Sequence, residues 1–152
     1  MEGKRIQVVH LQMVKDDEVI YGKQVLDGPR ETAALVRSII GSMDREYLVV
    51  CAADTKMKPS YIQIVGMGTI DCCPASIPDI FKAVLLSNSV NILLAHNHPS
   101  GDCTPSSEDI AFTERVMRAG DLLGIRLIDH IIVGDGRQFY SFREESSLFA
   151  ES

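Results

Sequence analysis

Two histidines one residue apart, His96 and His98, close an apolar run and precede an acid at Asp109 in the stretch LLAHNHPSGDCTPSSEDI. Two imidazole nitrogens and a carboxylate oxygen make a donor set suited to a divalent zinc ion. In a strand, residues i and i+2 share a face, so the two rings project side by side as a bidentate clamp. Pro99, Gly101 and Pro105 turn the chain and Ser106 opens a helix, whose first turn can carry Asp109 back to the histidines. Three protein ligands leave a fourth tetrahedral position for water, which distinguishes a catalytic zinc from a closed structural one. One zinc per chain is therefore expected. On that metal the pKa of water drops from about 15.7 towards roughly 7, so a neighbouring carboxylate can take its proton at neutral pH, and the chemistry expected is hydrolysis.

The carboxylate must come from elsewhere in the chain, and Glu46 is the candidate. It heads the buried strand EYLVVCAAD on the same face as Leu48 and Val50, where a lone glutamate needs a reason. Its alternative is an exposed strand end beside Arg45. Ser106 and Asp109 also have a second reading, as a helix-capping pair that stabilises by about 1 kcal/mol without any metal. The two readings are compatible, because a ligand on a well-capped turn is preorganised. Cys103 lies between His98 and Asp109, and as a thiolate it could replace Asp109 in a softer, more closed site. His130, beside Asp129, reads as a core histidine or a supporter of the ligands and stays outside the metal set. His10 reads as a strand surface residue, and Asp16, Asp17 and Glu18 as a solvated turn.

Positioning these groups requires a scaffold, and periodicities of two and 3.6 alternate along the chain as in an α/β or α+β domain. IQVVHLQMV and EVIYGKQVL read as strands joined at Lys15-Asp16-Asp17. Gly28-Pro29 ends the extended chain, and ETAALVRSII follows as a helix with Ala34, Leu35, Ser38 and Ile39 on one stripe and Gly41 as its stop. EYLVVCAAD is apolar on both faces and forms a hairpin with YIQIVGMGTI across Thr55 to Pro59. Ile77, Ile80, Phe81, Val84 and Leu85 mark a helix to about Asn88, with Pro78 tolerable in its first turn. VNILLAHNH is the next buried strand. Ser106 to Leu123 carries Ile110, Thr113, Val116, Met117 and Leu122 at near-helical spacing and stops at Gly124. IRLIDHIIVG and RQFYSF close the chain as strands around Gly134-Asp135-Gly136.

Bulk properties exclude several classes. With 152 residues, 45% of them hydrophobic, the chain fits one domain that buries enough apolar surface to fold alone. A formal net charge of −6 lacks the basic footprint of tight phosphate binding, so nucleic acid is expected to bind weakly. There is no 18-residue apolar run, and MEGKRIQVVHLQ turns polar too soon for a signal peptide, so a cytoplasmic location away from membranes is expected. Cys51, Cys72, Cys73 and Cys103 lack C-x-x-C spacing and read as reduced thiols. A zinc nucleobase deaminase would need H-x-E and P-C-x-x-C, which are absent. A cysteine hydrolase built on Cys103 and His98 lacks an evident orienting group.

Glu46, then His96-x-His98, seven residues, Ser106, two residues and Asp109 resembles the JAMM (MPN+) metalloprotease motif. HNHPSGDCTPSSED followed by LLGIRLIDHIIVGD resembles the RadC family, proteins often labelled DNA repair proteins, over roughly residues 24–143. The resemblance implies a single JAB/MPN domain of α/β class, with a mixed curved sheet flanked by helices in a cytidine-deaminase-like three-layer arrangement. It also implies a zinc metalloprotease acting on peptide or isopeptide amides, with metal at His96, His98 and Asp109, Glu46 as general base and Ser106 supporting the tetrahedral oxyanion. Two departures stand out. No N-terminal helix-hairpin-helix segment is expected within residues 1–152, which weakens the repair label, and CCPASIPDIFK lacks the more usual arginine near Ile77-Pro78. The alternative function is a non-catalytic or DNA-processing accessory factor on the same metal-binding fold, although binding alone needs no general base. The edges of YIQIV and IQVVH could pair between subunits, which leaves a homodimer open.

Overall fold

The computed structural model describes residues 3–40, 44–68 and 75–150. Along the chain come α1 (Pro29–Ile40), β1 (Tyr47–Ala53), β2 (Pro59–Met67), α2 (Ile77–Leu86), β3 (Asn91–Asn97), α3 (Ser107–Leu123), β4 (Arg126–Val133), β5 (Phe139–Ser141) and α4 (Phe142–Glu145). Among the described residues the strands form one sheet in the order β2-β1-β3-β4-β5. β3 and β4 are parallel and joined through α3, whereas the other neighbouring pairs are antiparallel. The domain is thus α/β with a mixed sheet.

Strand alternation explains why helices cover both faces. Leu48, Val50 and Ala52 of β1 enter one core with Ile92 and Leu94 of β3, together with Ile80, Phe81 and Val84 of α2 and Val116 of α3. Val49, Cys51 and Ala53 point the other way and pack with Leu93 and Ala95 against Ala33, Val36 and Ile40 of α1. Each fully buried Val, Leu or Ile contributes about 1.5–3 kcal/mol, and β1 and β3 supply such residues to both faces. The histidines stand at the end of their ladder.

β4 carries an irregularity that matters for the site. Leu127 pairs with Ile92, but Asp129 pairs with the very next residue, Leu93, so β4 holds one extra residue there. A bulge of this kind flips the alternation and re-aims the side chains beyond it. Leu127 and Ile132 therefore share one core despite their odd spacing, and His130 turns towards it.

Several expectations change. The segments 6–14 and 18–26 form no strands: residues 3–20 are exposed, with Ile6, Val8, Leu11 and Ile20 in solvent, and the chain joins the domain at Tyr21 and Leu26. An alternating pattern becomes a strand only beside a partner ladder, and among the described residues none lies against these segments. The buried stripe of α1 is Thr32, Ala33, Val36 and Ile40, whereas in the stripe expected at Ala34, Leu35, Ser38 and Ile39 the alanine and serine are exposed and the other two are only partly buried. The final strand stops at Ser141 and Phe142 begins a short helix. Gly41, Cys72 and Cys73 lie outside the described residues. Cys51 and Cys103 are free thiols, and burial pushes the former up to about 12. Among the described residues no helix is long and apolar enough to cross a membrane.

Candidate metal centre

His96 is the penultimate residue of β3, and His98 stands just beyond its end. The loop after His98 is fastened to the end of β4. His98 N–H donates to Val133 O at 3.2 Å, Gly101 N–H to His98 O at 2.9 Å and Asp135 N–H to Gly101 O at 3.0 Å. Gly101 has a φ of 86°, and a Cβ there would fall 2.0 Å from Asp135 Oδ2, so the close approach excludes a side chain. Asp109 returns in the first turn of α3. Ser106 Oγ accepts from Asp109 N–H at 3.1 Å and Asp109 Oδ2 accepts from Ser106 N–H at 2.8 Å, a complete capping box. The cap and the acid that faces the histidines are one carboxylate.

The side chains converge. His96 Nε2 lies 3.0 Å from His98 Nε2, and Asp109 offers Oδ1 at 3.2 Å to the first and Oδ2 at 3.1 Å to the second. His96 is buried, whereas His98 and Asp109 are half-buried and partly in contact with solvent. Hydrogen bonds on the far side of each ring decide which nitrogens face inward. His98 Nδ1 lies 2.8 Å from the carbonyl of Asp102, which can only accept, so Nδ1 carries the proton and neutral His98 presents a lone pair at Nε2.

For His96 the assignment runs through two more residues. Thr113 Oγ1 lies 2.7 Å from the carbonyl of Asp109, so its one proton is donated there and it accepts from His130 Nδ1 at 2.6 Å. His130 is fully buried, and burial, aggravated by neighbouring His96, holds its ring neutral with a pKa well below the ordinary imidazole value. Its Nε2 is consequently an acceptor, and His96 Nδ1–H donates to it across 2.7 Å. His96 then also turns an Nε2 lone pair inward.

Two lone pairs and a carboxylate within 3.2 Å of one another repel unless a cation lies among them. Without a metal that cation is a proton, and the titration preferences agree. The Asp109 hydrogen bond holds His98 above its ordinary value. Burial alone would raise Asp109, but the two imidazoles and the Ser106 N–H overcome it and keep the carboxyl well below the usual carboxylate range. A nitrogen, nitrogen, oxygen set with ligand atoms within 4.8 Å of one another fits a small divalent metal equally well.

Glu46 and Cys103 are not members of that ligand group. Leu48 pairs with His96, and one two-residue step along each strand leads to Glu46 and His98. Glu46 is half-buried, and its carboxyl is raised chiefly by burial and further by Asp109, against the lowering effect of His96 and His98. It therefore stands within electrostatic reach of all three. Its backbone is clamped on both sides by the buried Asn97, which donates from Nδ2 to Arg45 O at 2.8 Å and accepts Tyr47 N–H at 2.8 Å. Ser106 Oγ acts as an acceptor in the cap and keeps its hydroxyl hydrogen for another partner. Cys103 packs against the core beside Gly134.

Asn97, Thr113 and the bonding role of His130 escape sequence reasoning. The residue between two histidines and a threonine on a helical stripe carry no local mark of their partners. His130 reads as a core or supporting histidine, but its alignment with His96 depends on the β4 bulge.

A family model described as RadC-like JAB domain matches residues 26–147. A UPF0758 protein of Roseiflexus castenholzii is 40% identical over 121 residues, covering 80% of this chain and 52% of the relative. Another UPF0758 protein, from Moorella thermoacetica, is 40% identical over 126 residues, covering 83% and 55%. A third, from Methanosarcina acetivorans, is 36% identical over 123 residues, covering 81% and 53%. The chain thus spans about half the length of these curated relatives.

Proposed function

The chain belongs to the RadC-like JAB domain family, and from that premise we propose that it is a zinc-dependent hydrolase of the JAMM type, cleaving a peptide or isopeptide amide. The observation that carries this reading is the convergence of His96, His98 and Asp109, with both histidine Nε2 lone pairs turned inward. Those three residues would hold the metal. Zinc, when bound, supplies a Lewis acid that lowers the pKa of water to about 7. Glu46 accepts the proton from the attacking water and returns it to the leaving amine, a role suited to a carboxyl raised above its ordinary value beside the ligands. Ser106 donates its hydroxyl hydrogen to the substrate carbonyl oxygen as negative charge develops there. Asn97 keeps the Glu46 backbone in place.

The test is digestion of a mixed peptide and isopeptide library by zinc-loaded protein, with the Glu46→Gln variant run in parallel. Cleavage by the parent that is lost in the variant supports the reading. No cleavage, or equal cleavage by both, contradicts it.

A further inference from the structure

We propose that His130 and Thr113 are positioning residues that decide which nitrogen of His96 is presented to the metal, an inference that rests on the metal reading of the site. The bonds run in one direction. Thr113 O–H donates to Asp109 O, His130 Nδ1–H donates to Thr113 Oγ1, and His96 Nδ1–H donates to His130 Nε2. Reversal would leave the Thr113 hydroxyl 2.7 Å from a carbonyl with no hydrogen between them, and would place a proton on His96 Nε2, where a ligand needs a lone pair. The chain closes on itself, because the Asp109 whose backbone takes the Thr113 proton also sets its Oδ1 3.2 Å from His96 Nε2. One buried relay therefore ties two ligands carried by different elements, β3 and α3. The ring of Phe142 stacks on His130 with centroids 5.1 Å apart and planes at 15°, which keeps the imidazole in the orientation the relay needs. The extra residue in β4 turns His130 towards His96.

The test compares the full chain with its Thr113→Val and Thr113→Ser variants, valine keeping the shape without the hydroxyl and serine keeping the hydroxyl. Zinc affinity is measured by competition with a chromophoric chelator. The ring nitrogens of metal-free protein are read by 15N NMR at about pH 8.5, roughly two units above the ordinary histidine value. Thr113→Val is expected to weaken zinc binding by about 10–100-fold, the usual effect of losing an outer partner of a ligand, and to mix the His96 tautomers. Thr113→Ser should restore both the affinity and a single Nδ1–H form. Unchanged zinc affinity and unchanged His96 nitrogen shifts in Thr113→Val would overturn the proposal. If the parent bound no zinc, the metal reading would fail by itself, and the NMR comparison would still decide whether Thr113 sets the His96 tautomer. A structural role alone would lower the melting temperature and leave the nitrogen shifts as they were.

Discussion

The Nε2 atoms of His96 and His98 face each other across 3.0 Å, and each ring's Nδ1 is committed elsewhere, to His130 in one case and to the carbonyl of Asp102 in the other. Such a pair is an electrostatic liability until a cation sits against it. Adding zinc should therefore stabilise the folded chain, by about 2.7 kcal/mol at a hundredfold excess over the dissociation constant. His98→Ala should melt at the same temperature in zinc and in chelator. The check is a pair of thermal scans at about pH 8, and a zinc-dependent rise in His98→Ala equal to that of the parent would count against the pairing.

Glu46 is assigned the proton and not the metal. Glu46→Gln keeps size and hydrogen-bonding capacity but cannot accept a proton, so zinc content should survive while turnover falls by about 10²-fold or more. Loss of zinc would make Glu46 a ligand. Full activity would move the base elsewhere, with Glu31 and Glu108 the next carboxylates to replace.

Ser106 is asked to do two things at once. Its Oγ caps α3, so Ser106→Ala should lose about 1 kcal/mol of unfolding free energy. In the proposed reaction its hydroxyl also serves the developing oxyanion, so turnover should drop with it. Denaturant titration and kinetics on the same preparation separate the two, and lowered stability with unchanged turnover would reduce Ser106 to a cap.

Asp129 offers a test of the scaffold away from the ligands. Its carboxylate accepts from His130 N–H, Arg143 N–H and Ser141 O–H, yet burial outweighs them and raises its pKa. A carboxyl raised in the folded state binds its proton more tightly there than in the unfolded chain. Its contribution to stability is thus full below the ordinary value of about 3.9 and is lost as pH climbs through the raised one. Asp129→Asn can keep an acceptor for both N–H groups and turn its amide to Ser141. Urea titrations between about pH 3.5 and 7 should show the variant gaining on the parent as pH rises. A difference that is flat or of opposite slope would contradict the assigned direction.

Much of the scaffold is legible from pattern alone, for reasons visible in particular residues. α3 runs from the Ser106 cap to Gly124, whose φ of 73° is the left-handed stop expected of that glycine. The central strands carry apolar side chains on both faces and could be placed nowhere but in a covered sheet. The clamp of His96, His98 and Asp109 is readable because strand periodicity and a helix start are local rules. The features that escape are long-range. IQVVHLQMV has the alternation of a strand but, among the described residues, no ladder beside it. α1 carries apolar residues around much of its circumference, at Ala33, Ala34, Leu35, Val36, Ile39 and Ile40, so its pattern singles out no one stripe and only packing chooses the buried face. The proton relay through His130 depends on a one-residue bulge in β4 whose register is set by β3.

If His96, His98 and Asp109 hold one zinc ion, elemental analysis of purified protein will find it. The parent, His96→Ala and His98→Ala should be prepared identically, passed over a desalting column after zinc loading, and measured for metal per chain. The expected result is about one zinc per chain in the parent and far less than one in each variant. Full zinc retention in either variant, or none in the parent, would rule out these three residues as the zinc ligands.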